Sequence, residues 1–243
     1  MSNRENPARL RKRLPSFDRG PFSLPPLYAI LDIDCLVHQL GNRGDVQQAA
    51  SSRDAEAALL STVIDFAQKL HQGGVRWLQY RAKQLPARSA LAHAKALRQT
   101  FPKLTLIMND RADLCLAADF DGVHVGQDDL WPGAVRPLVG NRIVGVSTHS
   151  PEQVAEASAS PADYVAIGPV FATGSKPNPD PVVGLEGVRR ARQLTTKPLV
   201  AIGGITLANC REVRAAGADS VAIISALASH PRQSAEGFLR ILS

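Results

Sequence analysis

Aromatic side chains make up only 5% of this 243-residue chain, with two tryptophans and three tyrosines among them. That scarcity speaks against a nucleic-acid surface, which interleaves basic with aromatic residues on one folded face. Cysteine is scarcer still. Cys35, Cys115 and Cys210 are odd in number, far apart and without C-x-x-C spacing, which argues against a disulfide framework and a cysteine-based zinc site. They read as small buried apolar residues in a reducing compartment. No apolar run approaches the roughly 20 residues a bilayer span requires, and the N-terminus lacks the apolar core of a secretory signal. The expectation is a cytoplasmic protein with no membrane partner. The net charge of +6 is also thin in the body of the chain. Arg4, Arg9, Arg11, Lys12, Arg13 and Arg19 against Glu5 and Asp18 place +4 of it in the first twenty residues. Such a tail reads as a solvated arm, not a nucleic-acid reader.

Ala, Val, Leu, Ile and Gly are plentiful, and hydrophobic residues reach 44%, enough for a sizeable core with close helix–sheet packing. Residues 1–26 are polar and end in Pro21, Pro25 and Pro26, so they read as an extension outside the fold. From residue 27 to 243 short Val/Ile/Leu runs alternate with Ala-rich stretches of helical apolar spacing. The pattern predicts strands at Leu27–Asp32, Val75–Arg81, Leu104–Asn109, Gly122–Gly126, Arg142–Ser147, Tyr164–Gly168, Leu199–Gly203 and Ser220–Ser225. Helices are predicted near 54–72, 87–100, 112–118, 131–138, 151–159, 184–194, 207–216 and 233–242. Ser150-Pro151 and Thr206 supply helix starts, and Gly73-Gly74 and Gly217 supply stops. Eight strand–helix units in one α/β chain of this length imply a single (β/α)8 TIM barrel. An open doubly wound sheet competes, but it concentrates binding residues at one switch point, whereas polar and glycine clusters here follow nearly every strand. The long polar stretch over roughly 33–53 reads as an irregular loop.

Barrel active sites are built at the C-terminal ends of the strands. Alternation puts Gln79, Arg81 and Lys83 on one face of the second strand, and three polar groups aimed into the mouth need a polar or charged ligand. Asp110 and Asp129 follow adjacent strands. As oxygen donors they suit one hard divalent cation such as Mg2+. The competing reading pairs Asp110 with Arg111 and makes Asp128 and Asp129 helix caps, and spacing alone leaves the two readings level. His124 alternates inward and reads as a hydrogen-bonded core histidine. His149, behind Ser147-Thr148, is better placed for a ligand, but no residue in the sequence stands out to orient it, so a Ser/His nucleophile is weakly signalled. The loop from Gly168 to Gly184 carries Thr173, Ser175 and Lys176. A lysine there can meet phosphate as a point charge, although a plain surface loop reads as well, and the P-loop order is absent. Gly203-Gly204 and Ile224-Ser225 end the last two strands, where barrels recurrently bind phosphate through backbone N–H groups.

These segments in this order resemble the thiamine-phosphate synthase family. The match runs through Gln79-Tyr-Arg-Ala-Lys83, Asn109-Asp-Arg-Ala-Asp113, Gly122-Val-His-Val-Gly-Gln-Asp-Asp129 and Gly145-Val-Ser-Thr-His149. It continues through Gly168-Pro-Val-Phe-Ala-Thr-Gly-Ser-Lys176, Gly203-Gly-Ile205 and Gly217-Ala-Asp-Ser-Val-Ala-Ile-Ile-Ser225, over roughly residues 27–228. The resemblance implies condensation of a hydroxymethylpyrimidine diphosphate with a thiazole phosphate, giving thiamine phosphate and pyrophosphate. It implies that Gln79, Arg81, Lys83, Asn109, Ser147 and Lys176 surround the pyrimidine diphosphate, with Arg81, Lys83, Ser147 and Lys176 as the catalytic set. Asp110 and Asp129 would hold Mg2+. Thr173, Ser175, Gly203, Gly204, Ile224 and Ser225 would receive the thiazole phosphate. Ser175 stands where a second threonine is common, which retains a hydroxyl.

A related thiazole tautomerase barrel is the nearest rival, and it is not expected to keep both aspartates. A phosphate-sugar isomerase would need a positioned acid–base pair. The partners implied are small molecules, with no nucleic acid, and a homo-oligomer stays open.

Overall fold

A computed structural model describes residues 23–39, 52–174 and 180–243. Within them β1 (Leu27–Asp32), β2 (Trp77–Arg81), β3 (Thr105–Asn109), β4 (Gly122–Val125), β5 (Ile143–Thr148), β6 (Tyr164–Ile167), β7 (Leu199–Ile202) and β8 (Ser220–Ile223) form a closed parallel barrel in sequence order. Closure comes from β1 pairing with β8, Leu27 opposite Val221 and Ala29 opposite Ile223. Strand ends differ from the sequence reading by one or two residues, the usual scatter of such boundaries.

Helices α1 (Ile33–Gln39), α2 (Arg53–Gln72), α3 (Ala87–Thr100), α4 (Ala112–Ala117), α5 (Pro132–Val139), α6 (Pro151–Ala159), α7 (Gly184–Leu194), α8 (Cys210–Ala215) and α9 (Pro231–Leu242) accompany the strands. A 3₁₀ turn, Ser225–Leu227, follows β8. Ser150 caps α6 ahead of Pro151, accepting from the Gln153 N–H, as its sequence position suggests. Thr206 does not start α8 at once, because a turn over 207–209 intervenes. The irregular loop expected over 33–53 is corrected at its start, where α1 stands. Asp32 Oδ1 caps that helix by accepting the Cys35 N–H, and Ile33, Leu36 and Val37 are buried at helical spacing. Residues 40–51 of that stretch, and residues 1–22 of the extension, lie outside the described residues.

Two apolar layers result from strand alternation. The larger lies between barrel and helices. The smaller fills the lumen with Tyr28, Ile30, Trp77, Ile107, Ile143, Tyr164, Ala166, Val200 and Ala222, and Leu24 packs against it. Two of the three tyrosines and one of the two tryptophans are therefore spent inside the barrel. Their rings meet edge-on, with centroids 5.7 Å apart for Tyr28–Trp77, 6.0 Å for Tyr28–Tyr164 and 6.3 Å for Trp77–Tyr164, a favourable quadrupole arrangement.

The N-terminal face carries a device repeated three times. Before β4, β6 and β8 stands an aspartate whose Oδ2 takes a backbone N–H of the preceding strand and an arginine of the preceding odd-numbered helix. Asp121 takes Leu106 N and Arg98, Asp163 takes Val144 N and Arg136, and Asp219 takes Leu199 N and Arg192. Charge-assisted bonds of this kind fasten helix to sheet on the face opposite the site.

Candidate active site

At the C-terminal mouth the strand ends enclose a cavity of about 360 Å³. Gln79, Arg81, Lys83, Asn109, Asp110, Asp129, Ser147, Thr173, Gly203, Gly204, Ile224 and Ser225 all line it. Ser175 and Lys176 lie outside the described residues. The sequence positions singled out one strand at a time thus converge on one space.

On the β2–β4 side charge is concentrated and paired. Arg81 forms an ion pair with the buried Asp32, and Asp34 lies 3.9 Å from the same guanidinium nitrogen. Lys83 Nζ sits 3.1 Å from Asp110 Oδ2. Asp110 has φ of 61°, a left-handed conformation that Asp tolerates better than most residues. Its N–H reaches the His124 carbonyl at 2.7 Å. Burial, then a hydrogen bond with Asp129, push the Asp110 carboxyl up to about 6 although Lys83 pulls it down. The two carboxylates are close enough to share a proton. Asp129 Oδ2 also accepts the Gly126 N–H at 2.8 Å.

These contacts speak against the competing reading of the aspartates. Arg111 pairs with Asp113, at 2.5 Å, and not with Asp110. The N-cap of α5 is Trp131, with no side-chain cap bond, so Asp129 is not its cap. Asp129 instead folds back on the loop after β4, toward Asp110.

On the β7–β8 side the backbone is what approaches. Gly203 and Gly204 have φ of 102° and 62°, and a Cβ on either would come 2.5 Å from Pro169 Cα or the Ala172 carbonyl oxygen. Only glycine fits both the conformation and the contact. The β6 loop is strapped alongside, Val170 N–H to the Ile202 carbonyl at 2.9 Å and Phe171 N–H to the Gly203 carbonyl at 3.0 Å. Ser225 opens the 3₁₀ turn, whose first N–H groups have no acceptor within the turn, the general requirement for anion binding.

His149 is oriented after all, which corrects the sequence reading. Its Nδ1 lies 2.6 Å from the Gly168 carbonyl oxygen and its Nε2 lies 3.4 Å from Asp180. The histidine that touches Ser147 is His124, at 2.9 Å through Nε2. His124 is buried and hydrogen-bonded, as alternation predicts, and it also lines the cavity. Tyr28 is a cavity-lining residue that the sequence reading missed. Its inward alternation in β1 was a signal, but an apolar strand context hid it.

A closed parallel barrel with paired carboxylates and cations on one side of its mouth, and a glycine turn with a 3₁₀ N-terminus on the other, defines a (β/α)8-barrel enzyme for phosphorylated ligands. The family model described as thiamine monophosphate synthase matches residues 52–227. A thiamine-phosphate synthase of Koribacter versatilis is 53% identical over 221 residues, covering 90% of this chain and 96% of the relative. One of Chloroflexus aurantiacus is 45% identical over 157 residues, covering 64% and 73%. The structure of a thiamine phosphate pyrophosphorylase from Pyrococcus furiosus superposes with TM-score 0.71 at 31% identity, covering 89% of this chain and 94% of that one. A 3-hexulose-6-phosphate synthase superposes with TM-score 0.61 at 19% identity, a likeness of fold alone. The chain belongs to the thiamine monophosphate synthase family.

Proposed function

We propose that this chain condenses 4-amino-5-hydroxymethyl-2-methylpyrimidine diphosphate with 4-methyl-5-(2-phosphooxyethyl)thiazole, releasing thiamine phosphate and pyrophosphate. The observation that carries the reading is the Asp110–Asp129 pair beside Lys83, facing the Gly203–Gly204 turn within one cavity. Such a mouth has two anion subsites of different chemistry. One is built of cations and carboxylates, the other of main-chain groups.

The donor set fits Mg2+. A carboxylate such as Asp110, whose ionisation burial and its neighbour hold back, gains from a divalent cation beside it, and Mg2+ is ordinarily held by one or two carboxylates plus water and substrate phosphate. Among the described residues no cluster of three or more His, Cys, Asp or Glu is arranged for a metal, so substrate oxygens would complete the shell. When bound, Mg2+ supplies charge neutralisation on the diphosphate.

The protein's own residues do the rest. Arg81, Lys83 and Lys176 receive charge as the bond between the pyrimidine methylene and the diphosphate oxygen breaks, the electron pair leaving with the diphosphate. The electron-rich aminopyrimidine bears the resulting methylene cation, and the thiazole nitrogen supplies the pair for the new bond. No protein nucleophile is required. Alignment and preorganised charge account for the acceleration. Gln79, Asn109 and Ser147 hold the pyrimidine side. Thr173, Ser175, Gly203, Gly204, Ile224 and Ser225 hold the thiazole phosphate. Retention of both aspartates favours this reaction over that of a thiazole tautomerase.

The test is direct. Purified protein with both substrates and Mg2+ is expected to give thiamine phosphate and an equimolar amount of pyrophosphate, and folded protein that forms neither overturns the reading. Normal turnover by an Asp110→Ala, Asp129→Ala double variant would remove the metal assignment.

A further inference from the structure

At the cavity floor, five polar side chains from five different strands are joined in one line through an otherwise apolar lumen. Gln79 Nε2 donates to the Tyr28 hydroxyl at 2.8 Å. The Tyr28 and Tyr164 hydroxyls lie 2.9 Å apart. Tyr164 lies 2.9 Å from His124 Nδ1, and His124 Nε2 lies 2.9 Å from Ser147 Oγ. Both ends, Gln79 and Ser147, line the cavity, and Tyr164 does not. Polar groups in such a place are costly unless satisfied, so where each proton goes can be worked out.

Tyr28 accepts the Gln79 amide hydrogen, and the Tyr164 hydroxyl, 2.9 Å away, lies in reach of its own hydrogen. Burial pushes the Tyr28 hydroxyl up to about 12 and Tyr164 well above the ordinary phenol range, so both keep their hydrogens. The Tyr164 hydrogen, away from water, is spent on His124 Nδ1. That nitrogen is then an acceptor, and the neutral ring carries its proton on Nε2, donating to Ser147 Oγ. Ser147 is left to donate its own hydrogen elsewhere, and its neighbour is the cavity.

The packing holds the central member in place. The Tyr164 ring stacks on His124, with centroids 5.5 Å apart and planes 23° apart. It fills the space beside Gly145, where a Cβ would come 2.0 Å from Tyr164 Cζ.

We propose that Tyr164 is a positioning residue of this site. It carries a one-way hydrogen-bond relay from Gln79 to Ser147 that holds His124 as its Nε2–H tautomer and turns the Ser147 hydroxyl into a donor toward the bound ligand. Given the function proposed above, the acceptor is an anionic oxygen or a ring nitrogen of the pyrimidine diphosphate.

Nitrogen NMR of the full chain labelled in histidine reads the tautomer without substrate. The wild type is expected to show His124 protonated on Nε2 alone at neutral pH, and Tyr164→Phe to let an Nδ1–H population appear. A wild-type His124 protonated on Nδ1, or on both nitrogens, overturns the relay even if the variant does not fold. In turnover, Tyr164→Phe is expected to lower kcat/KM for the pyrimidine diphosphate about tenfold, the scale of one hydrogen bond. The same change should have almost no effect in a Ser147→Ala background, and effects that simply multiply would also overturn it. Absence of turnover with the expected tautomer would strike the proposed reaction and leave the relay standing.

Discussion

Replacing Asp110 with asparagine separates two opposite consequences of the same arrangement. In the metal-free protein the Asp110 carboxyl is pushed from 3.8 to about 6 by burial and then by Asp129. The native state therefore binds more protons than the unfolded chain across that interval, and stability falls as pH rises from 3.8 through about 6. A displacement of that size disfavours the charged form by about 3 kcal/mol. Partial hydration at the mouth reduces the usable part to roughly 1–2 kcal/mol. An asparagine at this position would carry no charge and could donate to Asp129. It also tolerates the left-handed φ of 61°, so the substitution adds no backbone strain.

With a chelator at pH 7.5, Asp110→Asn is expected to raise the unfolding midpoint by roughly 2–8 °C, taking about 2–4 °C per kcal/mol for a chain of this size. The gain should vanish at pH 4, where the wild-type carboxyl is protonated. Mg2+ should reverse the order. At about a hundred times its Kd it would add about 2.7 kcal/mol to the wild type and little to the variant. The measurement is thermal unfolding at fixed scan rate over pH 4–8, with and without Mg2+. A variant less stable than wild type in chelator at pH 7.5 would refute the account of the carboxylate pair. So would equal Mg2+ stabilisation of both proteins.

The strands were legible because two periodicities never conflict in them. Val, Ile and Leu runs buried on both faces end in a polar residue or glycine at the mouth, and the ends of β2, β3, β7 and β8 point to their cavity residues. Helix α1 was not legible, since seven residues give too little periodicity to outweigh the polar stretch that follows. Its signal, Asp32 ahead of buried Ile33, Leu36 and Val37, is plain once the cap is seen. The relay escaped for another reason. Tyr28 and Tyr164 are 136 positions apart, each within an apolar strand, and only closure of the barrel brings them together. Gly145 reads in sequence as a motif glycine, while its physical cause is a ring from the next strand. The orienting partners of His149 are likewise long-range, one the Gly168 carbonyl and one Asp180.

Two more substitutions test whether stability and chemistry sit at opposite ends of the barrel. Arg136 reaches the carbonyls of Gly140, Pro161 and Arg142 and the carboxylate of Asp163, so Arg136→Leu should cost about 2–3 kcal/mol in urea unfolding. It should leave kcat/KM unchanged where the variant stays folded. Gly145→Ala acts from the lumen. Its Cβ would fall 2.0 Å from Tyr164 Cζ and 2.3 Å from the hydroxyl. The backbone cannot yield, because β5 is paired on both sides there, Gly145 opposite His124 and opposite Tyr164. The ring cannot move freely either, since Tyr28 and Trp77 stand against it. Overpacking a site closed on all sides should cost at least about 3 kcal/mol. Tyr164→Phe should not rescue Gly145→Ala, because the clashing ring remains, whereas Tyr164→Val should restore folding without restoring the His124 tautomer. A Gly145→Ala protein as stable as wild type in urea would mean that the lumen is not packed around Tyr164, and the relay would lose the rigidity it depends on.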